Sequence, residues 1–296
     1  MKPTVTIGIS ALNEEANIRN LLEALIVQKG DFSLEKIIVV SDGSTDNTVK
    51  LSESVNDPRI LTINGAERKG KAHRQNEICQ LAQSDILVIV DADTLPENDS
   101  FIAKLIEPIV QDEEIGFTSG PNISRNPKNF FEKTLVWGLD FKADLFESMR
   151  PDNIFLCVGA DRAFRKELYK KLHWPEGYPE DGFSYLASIS LGFKFRYQKS
   201  ARVIFRVPDN FKDHLKQSRR FINSTYRLKK HFNTYIVDSN YHIPKGLFLW
   251  KMLKYFMKNP IYATSYGFIC LYPRITKPET AAPDLWEMAG STKKVV

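Results

Sequence analysis

Residues 85–91 read Asp-Ile-Leu-Val-Ile-Val-Asp, five consecutive apolar residues between two aspartates. A run this short and this apolar suits a strand covered on both faces, as in a parallel sheet with helices on either side. Related runs precede it. Thr4–Ser10 alternates around Val5, Ile7 and Ile9, and Lys36–Ser41 reads Lys-Ile-Ile-Val-Val-Ser. Shorter strands are expected at Arg59–Ile63 and Ile115–Ser119. Helical spacing fills the gaps: Glu14–Gln28 (through Ile18, Leu21, Leu22 and Leu25), Thr45–Ser54, Lys71–Ala82 and Glu97–Val110. Strands alternating with helices predict an α/β fold with a mostly parallel sheet. Beyond Pro121 the expected order is a long helix over Lys128–Met149, a strand over Ile154–Val158, and helices over Arg162–Leu172 and Asp181–Leu191. A strand pair over Phe193–Gln198 and Ala201–Val207 and a basic helix over Asn210–His231 follow. The tail after Pro273 is expected to pack loosely.

The chain has 296 residues, enough for one large domain or two small ones with a core that needs no disulfides. Its three cysteines, Cys79, Cys157 and Cys270, are far apart, which excludes a zinc module or disulfide scaffold and favours a reducing compartment. The opening MKPTVTIGIS enters a strand at once and leaves no room for a signal peptide. Charge is unevenly spread. Residues 191–277 carry 18 Lys and Arg against 3 Asp and Glu, whereas the rest of the chain is net acidic. Such a basic third fits an anionic partner or a solvated surface. Its aromatic residues sit in apolar helical stretches rather than along a strand platform, so nucleic acid is not the expected partner. Gly246–Lys258 reads GLFLWKMLKYFMK, with Lys251, Lys254 and Lys258 on one helical stripe. That pattern fits an interfacial amphipathic helix, or a helix docked on the core. The uncharged run Asn259–Tyr272 is shorter than the ~20 residues needed to span a bilayer.

Ligands of an open α/β sheet sit beyond the carboxyl ends of its strands. Three such ends carry acidic clusters here: Leu12-Asn13-Glu14, Ser41-Asp42-Gly43-Ser44-Thr45-Asp46 and Asp91-Ala92-Asp93. Converging carboxylates are costly unless a cation or a ligand's donors offset them. Asp-Ala-Asp suits Mg²⁺ or Mn²⁺, which take carboxylate oxygens and keep positions open for phosphate. Taken singly, these segments also make ordinary turns and helix N-caps. The first strand is followed by Gly8-Ile9-Ser10-Ala11-Leu12-Asn13 and not by a dinucleotide-binding GxGxxG, and no GxxxxGK[ST] loop occurs. The five histidines include no pair at metal-ligand spacing.

In this order the motifs resemble those of family 2 glycosyltransferases with the GT-A fold, over roughly residues 4–221. Ala11-Leu12-Asn13-Glu14-Glu15 resembles the family's first-strand segment, and Val40–Thr48 its VDDGSxDxT segment, with Ser41 for the first Asp. Gly70–Asn76 resembles GKxxAxN, with Arg74 where a small residue is usual. Asp91-Ala92-Asp93 is the Asp-x-Asp motif, and Gly159–Arg165 resembles the acceptor-side GxxxAFRR. Pro179-Glu180-Asp181 looks like the ED motif, and Gln217–Phe221 is similar to QxxRW with Phe221 for Trp, a departure from the processive synthases. The resemblance implies a Rossmann-like GT-A domain over 1–232, and the charge and apolar patterning suggest a basic, amphipathic, membrane-associating region over 233–296. It implies an inverting, metal-dependent hexosyl transfer from a nucleotide sugar to a hydroxyl acceptor, lipid-linked or a growing glycan. Asn13, Glu14, Asp42, Lys71 and Asp91 would hold the donor. Asp93 and Asp91 would hold Mg²⁺ or Mn²⁺, and Asp181 would be the base. Gly159, Asp161, Glu180, Gln217, Arg219 and Arg220 would face the acceptor or diphosphate. The expected location is peripheral, on the cytoplasmic face of a membrane with an anionic surface. An inactive nucleotide-binding relative, or a nucleotidyltransferase, is the alternative. The latter wants a glycine-rich basic loop where Asn13-Glu14-Glu15 stands.

Overall fold

The apolar run Ile86–Val90 lies at the middle of a seven-stranded sheet, buried at every residue. The computed structural model describes residues 2–124, 126–222, 224–276, 292, 293 and 295, and leaves the side chains of 220–222 and 224 undescribed. In chain order the elements are β1 (Thr4–Ala11), α1 (Ile18–Ile26), β2 (Ser33–Asp42), α2 (Thr48–Glu53), β3 (Ile60–Gly65), α3 (Lys71–Leu81), β4 (Ile86–Val90), β5 (Leu95–Pro96), α4 (Phe101–Gln111), β6 (Ile115–Ser119), β7 (Asn122–Ser124) and α5 (Phe130–Glu147). A 3₁₀ turn at Ile154–Leu156 leads to β8 (Asp161–Arg165), α6 (Lys166–Tyr169), α7 (Glu180–Ser190), β9 (Lys194–Tyr197) and β10 (Val203–Phe205). Five helices follow: α8 (Phe211–Ile222), α9 (Ser224–His231), α10 (Thr234–Asn240), α11 (Lys245–Lys258) and α12 (Pro260–Ile275).

The large sheet runs β3-β2-β1-β4-β8-β6-β9. Its pairs are parallel except that β8 is antiparallel to both β4 and β6. Side chains alternate between two cores. Ile37, Val39, Val88 and Val90 pack with α1 and α4, where Leu21, Leu22, Leu25, Phe101 and Leu105 are buried. Ile38, Val40, Leu87 and Ile89 pack on the other face with Ile78, Phe164, Trp174 and Leu186. Each such side chain withdrawn from water is worth about 1.5–3 kcal/mol, and this two-sided burial is why the strands read as continuous apolar runs.

Three expectations fail beyond residue 150. Ile154–Leu156 is a 3₁₀ turn, and the strand is Asp161–Arg165, where a helix over Arg162–Leu172 was expected; only α6 (Lys166–Tyr169) is helical there. The strand's buried Asp161 and Arg162 conceal it from any apolar pattern. The segments read as a strand pair do not pair. β9 joins the large sheet beside β6, whereas β10 joins a small sheet with β5 and β7. The basic helix expected over Asn210–His231 is present as α8 and α9 on either side of residue 223, which lies outside the described residues, and α10 adds a helix that was not expected. Most of the tail beyond Pro273 lies outside the described residues.

Candidate active site

The ends of β1 and β2 are laced together. The backbone turns at Asn13, which sits in the left-handed region with φ 54°. The Asn13 carboxamide oxygen accepts from the Thr45 amide at 2.8 Å, and its own amide donates to Ser44 Oγ at 3.1 Å. The Glu14 amide donates to Thr48 Oγ1 at 2.7 Å. Asn13 therefore builds the wall of the site. Asp42, at the end of β2, spends both oxygens within the chain. Oδ1 accepts from the amides of Lys69 (2.7 Å) and Gly70 (3.0 Å) and from Arg74 Nε (2.9 Å), and Oδ2 accepts from Gly70 at 2.9 Å. Gly70 has φ 94°, a conformation side chains avoid, and that turn aims its amide at Asp42. Arg74, in place of the usual small residue, is buried and also bonds Glu77 and the Glu67 carbonyl.

At the end of β4 the Lys71 ammonium bridges two carboxylates. It lies 2.7 Å from Asp91 Oδ1, 2.9 Å from Asp91 Oδ2 and 2.5 Å from Glu180 Oε1. Burial opposes the Lys71 charge, but Asp91 and Glu180 overcome it and hold its pKa above the ordinary value. Burial pushes the Asp91 carboxyl up, against the pull of Lys71. Burial acts on Glu180 in the same direction, but Lys71 and Arg162 prevail and its pKa falls. The half-buried Asp93 carboxylate makes no hydrogen bond to any described residue. Among the described residues no three His, Cys, Asp or Glu converge as a ready-made metal cage. Mg²⁺ does not require one, since it is bound by one or two carboxylates and completed by phosphate and water. Asp93 can supply that first ligand, with Asp91 beside it.

Glu14 is buried, and burial raises its pKa to about 7, with Lys293 opposing and Asp93 adding to the rise. Lys293 pairs with Glu14 Oε1 and donates to the Leu12 carbonyl at 3.1 Å. Asn17 donates to Glu14 Oε2 at 3.0 Å and to the Lys293 carbonyl at 2.9 Å, and accepts from the Val295 amide at 3.1 Å. Sequence reasoning missed Lys293 and Asn17. Nothing local signals a contact across 279 positions.

On the other side, Glu180 and Asp181 open α7. A Cβ on Gly159 would stand 3.4 Å from Glu180 Oε1 and 3.9 Å from Asp181 Cβ, so the glycine lies against this pair. Asp181 Oδ1 accepts from the Gly182 amide at 2.6 Å. Burial, then the Glu180 charge, raises the Asp181 pKa to about 6. Asp161 does not reach the surface. It is fully buried on β8, takes the Gly120 amide at 3.0 Å, and burial drives its carboxyl well above the usual range. Opposite Val90 in the strand register, its side chain is enclosed in the interior and not exposed at the rim. Gln217 and Arg219 are half-buried on α8, and Arg219 Nη2 donates to the Thr276 carbonyl at 3.4 Å. The side chains of Arg220 and Phe221 lie outside the described ones.

The pattern of Glycosyl transferase family 2 matches residues 6–173, more than half of the chain. The chain belongs to this family. Its sheet is that of the GT-A fold, which the family's solved structures share. An N-acetylglucosaminyltransferase of Azorhizobium caulinodans is 25% identical over 261 residues, covering 80% of this chain and 65% of that protein. A poly-beta-1,6-N-acetyl-D-glucosamine synthase of Staphylococcus aureus (strain COL) is 27% identical over 130 residues, 44% of this chain and 31% of that protein. This chain thus spans less than two thirds of either relative's length. In three dimensions it resembles a mannosyltransferase from Pyrobaculum calidifontis in complex with GDP-Man and Mn²⁺, with a TM-score of 0.61, 18% identity, and coverage of 96% of this chain and 78% of that one. It also resembles glucosyl-3-phosphoglycerate synthase from Mycobacterium tuberculosis, with a TM-score of 0.52, 18% identity, and coverage of 76% and 78%.

Proposed function

We propose that this family 2 chain is an inverting glycosyltransferase that moves a hexosyl group from a nucleotide sugar to a hydroxyl on a lipid-linked or glycan acceptor. The observation that carries it is the row Asp93, Asp91, Lys71, Glu180 and Asp181, which sets a free carboxylate at one end and a carboxyl with pKa about 6 at the other. Asp93, with Asp91, would hold Mg²⁺ or Mn²⁺, and such an ion would offset the charge that develops on a departing diphosphate. Lys71 orients Asp91 and brings a fixed positive charge to the diphosphate end. Glu14, with Asn13 and Asp42 shaping the loops beneath it, lines the nucleoside end. Asp181 accepts the acceptor hydroxyl's proton on Oδ2, since Oδ1 is engaged with the Gly182 amide. The hydroxyl oxygen bonds the anomeric carbon as the bond to phosphate breaks. One displacement inverts that centre. Gly159 leaves room for the acceptor. Gln217, Arg219 and Arg220 stand on the α8 side, where guanidinium groups suit an acceptor's phosphate.

The region 233–296 would hold the domain 1–232 against a membrane on its cytoplasmic side. The support is the outer face of α11 and α12, where Leu249, Trp250, Leu253, Met257, Ile261 and Phe268 are exposed. No described helix is long and apolar enough to cross a membrane.

The test is transfer from a panel of UDP- and GDP-linked sugars, headed by N-acetylglucosamine because both sequence relatives are named for it. Turnover should require Mn²⁺ or Mg²⁺ and invert the anomeric centre. Asp181→Asn should bind donor yet lose at least ~10²-fold in rate. The wild-type kcat should fall on the acid side with an apparent pKa near 6, since Asp181 must be ionised to accept a proton. Retention of configuration, or a fully active Asp181→Asn, refutes the reading.

A further inference from the structure

Arg162 is fully buried on β8, opposite Ile89 of β4 and Ser119 of β6. Nη1 donates to the Glu180 carbonyl at 2.9 Å and to Ser184 Oγ at 2.9 Å. Nε and Nη2 make no hydrogen bond to described residues. A guanidinium buried with two nitrogens unpaired is expensive. The two bonds it does make end on Glu180 and Ser184, one turn apart at the start of α7, on either side of Asp181 in the chain. Two further contacts tighten the same point. Trp174 Nε1 donates to Ser184 Oγ at 2.9 Å, and Ser184 Oγ donates to the Glu180 carbonyl at 2.5 Å. Arg162 also stacks near the Phe164 and Trp174 rings, at 5.7 and 6.0 Å from their centroids.

We propose that Arg162 is the positioning residue of the candidate base: it clamps the start of α7 to the sheet and so sets where the Asp181 carboxylate stands. The proposal rests on the glycosyltransferase reading for what Asp181 does, but the clamp itself does not depend on it. A rigid strand is a better support for a reacting group than a loop, and a carboxylate displaced by about 1 Å costs on the order of 10²-fold in rate. The clamp also brings charge. Asp181 is faced by Glu180, which raises its pKa, and by Arg162 and Lys71, which lower it. The neighbouring Cys157 and Tyr241 carry no charge at neutral pH, since burial raises both.

The experiment compares Arg162→Met and Arg162→Lys with wild type by two readouts. The first needs no substrate: amide hydrogen exchange over residues 180–186. Exchange should rise most in Arg162→Met, which has no N–H to give Glu180 and Ser184, and less in Arg162→Lys, whose ammonium keeps donors but not the planar guanidinium held between the Phe164 and Trp174 rings. The second is transfer rate against pH. Arg162→Met should lose on the order of 10- to 100-fold in kcat with donor KM changed less than ~3-fold, and its acid limb should move to higher pH. Arg162→Lys should lose rate but keep the acid limb in place, since its charge is retained. Should Arg162→Met not fold, Ser184→Ala removes the shared hydroxyl and keeps the charge. It should raise exchange over 180–186 and lower kcat without moving the limb. Unchanged exchange in a folded variant overturns the clamp. Equal losses in donor affinity and rate with no pH effect reduce Arg162 to a structural residue and also overturn it. An active Asp181→Asn in the same assay refutes the base assignment instead, and leaves the exchange result to judge the clamp.

Discussion

A carboxyl group with pKa about 7 is only partly ionised at neutral pH, and the buried Glu14 is such a group. Burial is the main cause, and Lys293 is the chief opposing charge. The sign follows from linkage. The folded state binds the Glu14 proton more tightly than the unfolded chain does, so stability is full below the ordinary carboxyl pKa of 4.5 and is lost as pH rises through about 7. Asp181 acts in the same direction over the lower window from 3.8 to about 6. Glu14→Gln should therefore flatten the fall of Tm between pH 5 and 7.5, measured by thermal unfolding across that range. Lys293→Ala removes a charge that lowers the Glu14 pKa. It should make the fall steeper and carry it to higher pH. Identical Tm profiles for wild type and Glu14→Gln would contradict the burial argument.

At the scale of the element, α11 is turned inside out. The lysine stripe in the sequence suggests a polar outer face, yet Lys251 is only 4% exposed and its ammonium lies 2.7 Å from Asp144 Oδ1 on α5. Lys254 reaches Asp144 Oδ2 at 3.1 Å, and Tyr255 OH donates to the Asp140 carbonyl at 3.1 Å. Lys251 and Lys254 turn inward because α5 presents an acidic partner there, while Lys258 stays exposed. The second helix closes in as well. A Cβ on Gly138 would come within 2.1 Å of the Tyr266 ring, so only glycine lets α12 approach α5 this closely. Asp144→Ala would leave Lys251 charged and unpaired. It should destabilise the protein by roughly 2 kcal/mol, less than a fully buried pair because Asp144 is partly exposed. Denaturant unfolding with unchanged m measures it, and no loss would show that α11 is held by its aromatic contacts alone. Gly138→Ala should cost at least as much, through the clash with Tyr266.

At the scale of the whole molecule, α11 and α12 leave several large apolar side chains exposed. Met257 is 74% exposed, Phe268 69% and Ile261 66%. Large apolar side chains clustered on exposed helices are a feature of interaction sites. With 18 basic against 3 acidic residues across 191–277, an anionic bilayer is the partner proposed for this face. The protein should co-sediment with vesicles of phosphatidylcholine and phosphatidylglycerol at low salt, and much less so with phosphatidylcholine alone. Met257→Glu with Phe268→Glu should abolish pelleting and leave the fold intact. Failure of the wild type to pellet at low salt removes the membrane from the account.

The sequence by itself determined the first half of the fold and the acidic rim of the site. β1, β2 and β4 are buried on both faces, so their apolar runs can be nothing but strands, and the polar residues that follow must lie at the sheet's carboxyl edge. Asp91 and Asp93 were legible in that way, just beyond the end of β4, whereas Lys71 and the Glu180-Asp181 pair came only from the resemblance of their motifs to those of the family. Tertiary structure decided the remainder. β8 was unreadable because Asp161 and Arg162 are interior residues whose partners, Gly120 and the first turn of α7, are distant in sequence. The face of α11 turned on Asp144, more than a hundred positions away. Asp42 and Asn13 are donor-lining types by their position, yet the fold occupies them with backbone amides, since a buried carboxylate must be hydrogen-bonded and the nearest donors were its own chain. Periodicity records which face of an element is apolar. Which partner covers that face, and which polar group is spent on holding a loop, is settled only when the chain has closed on itself.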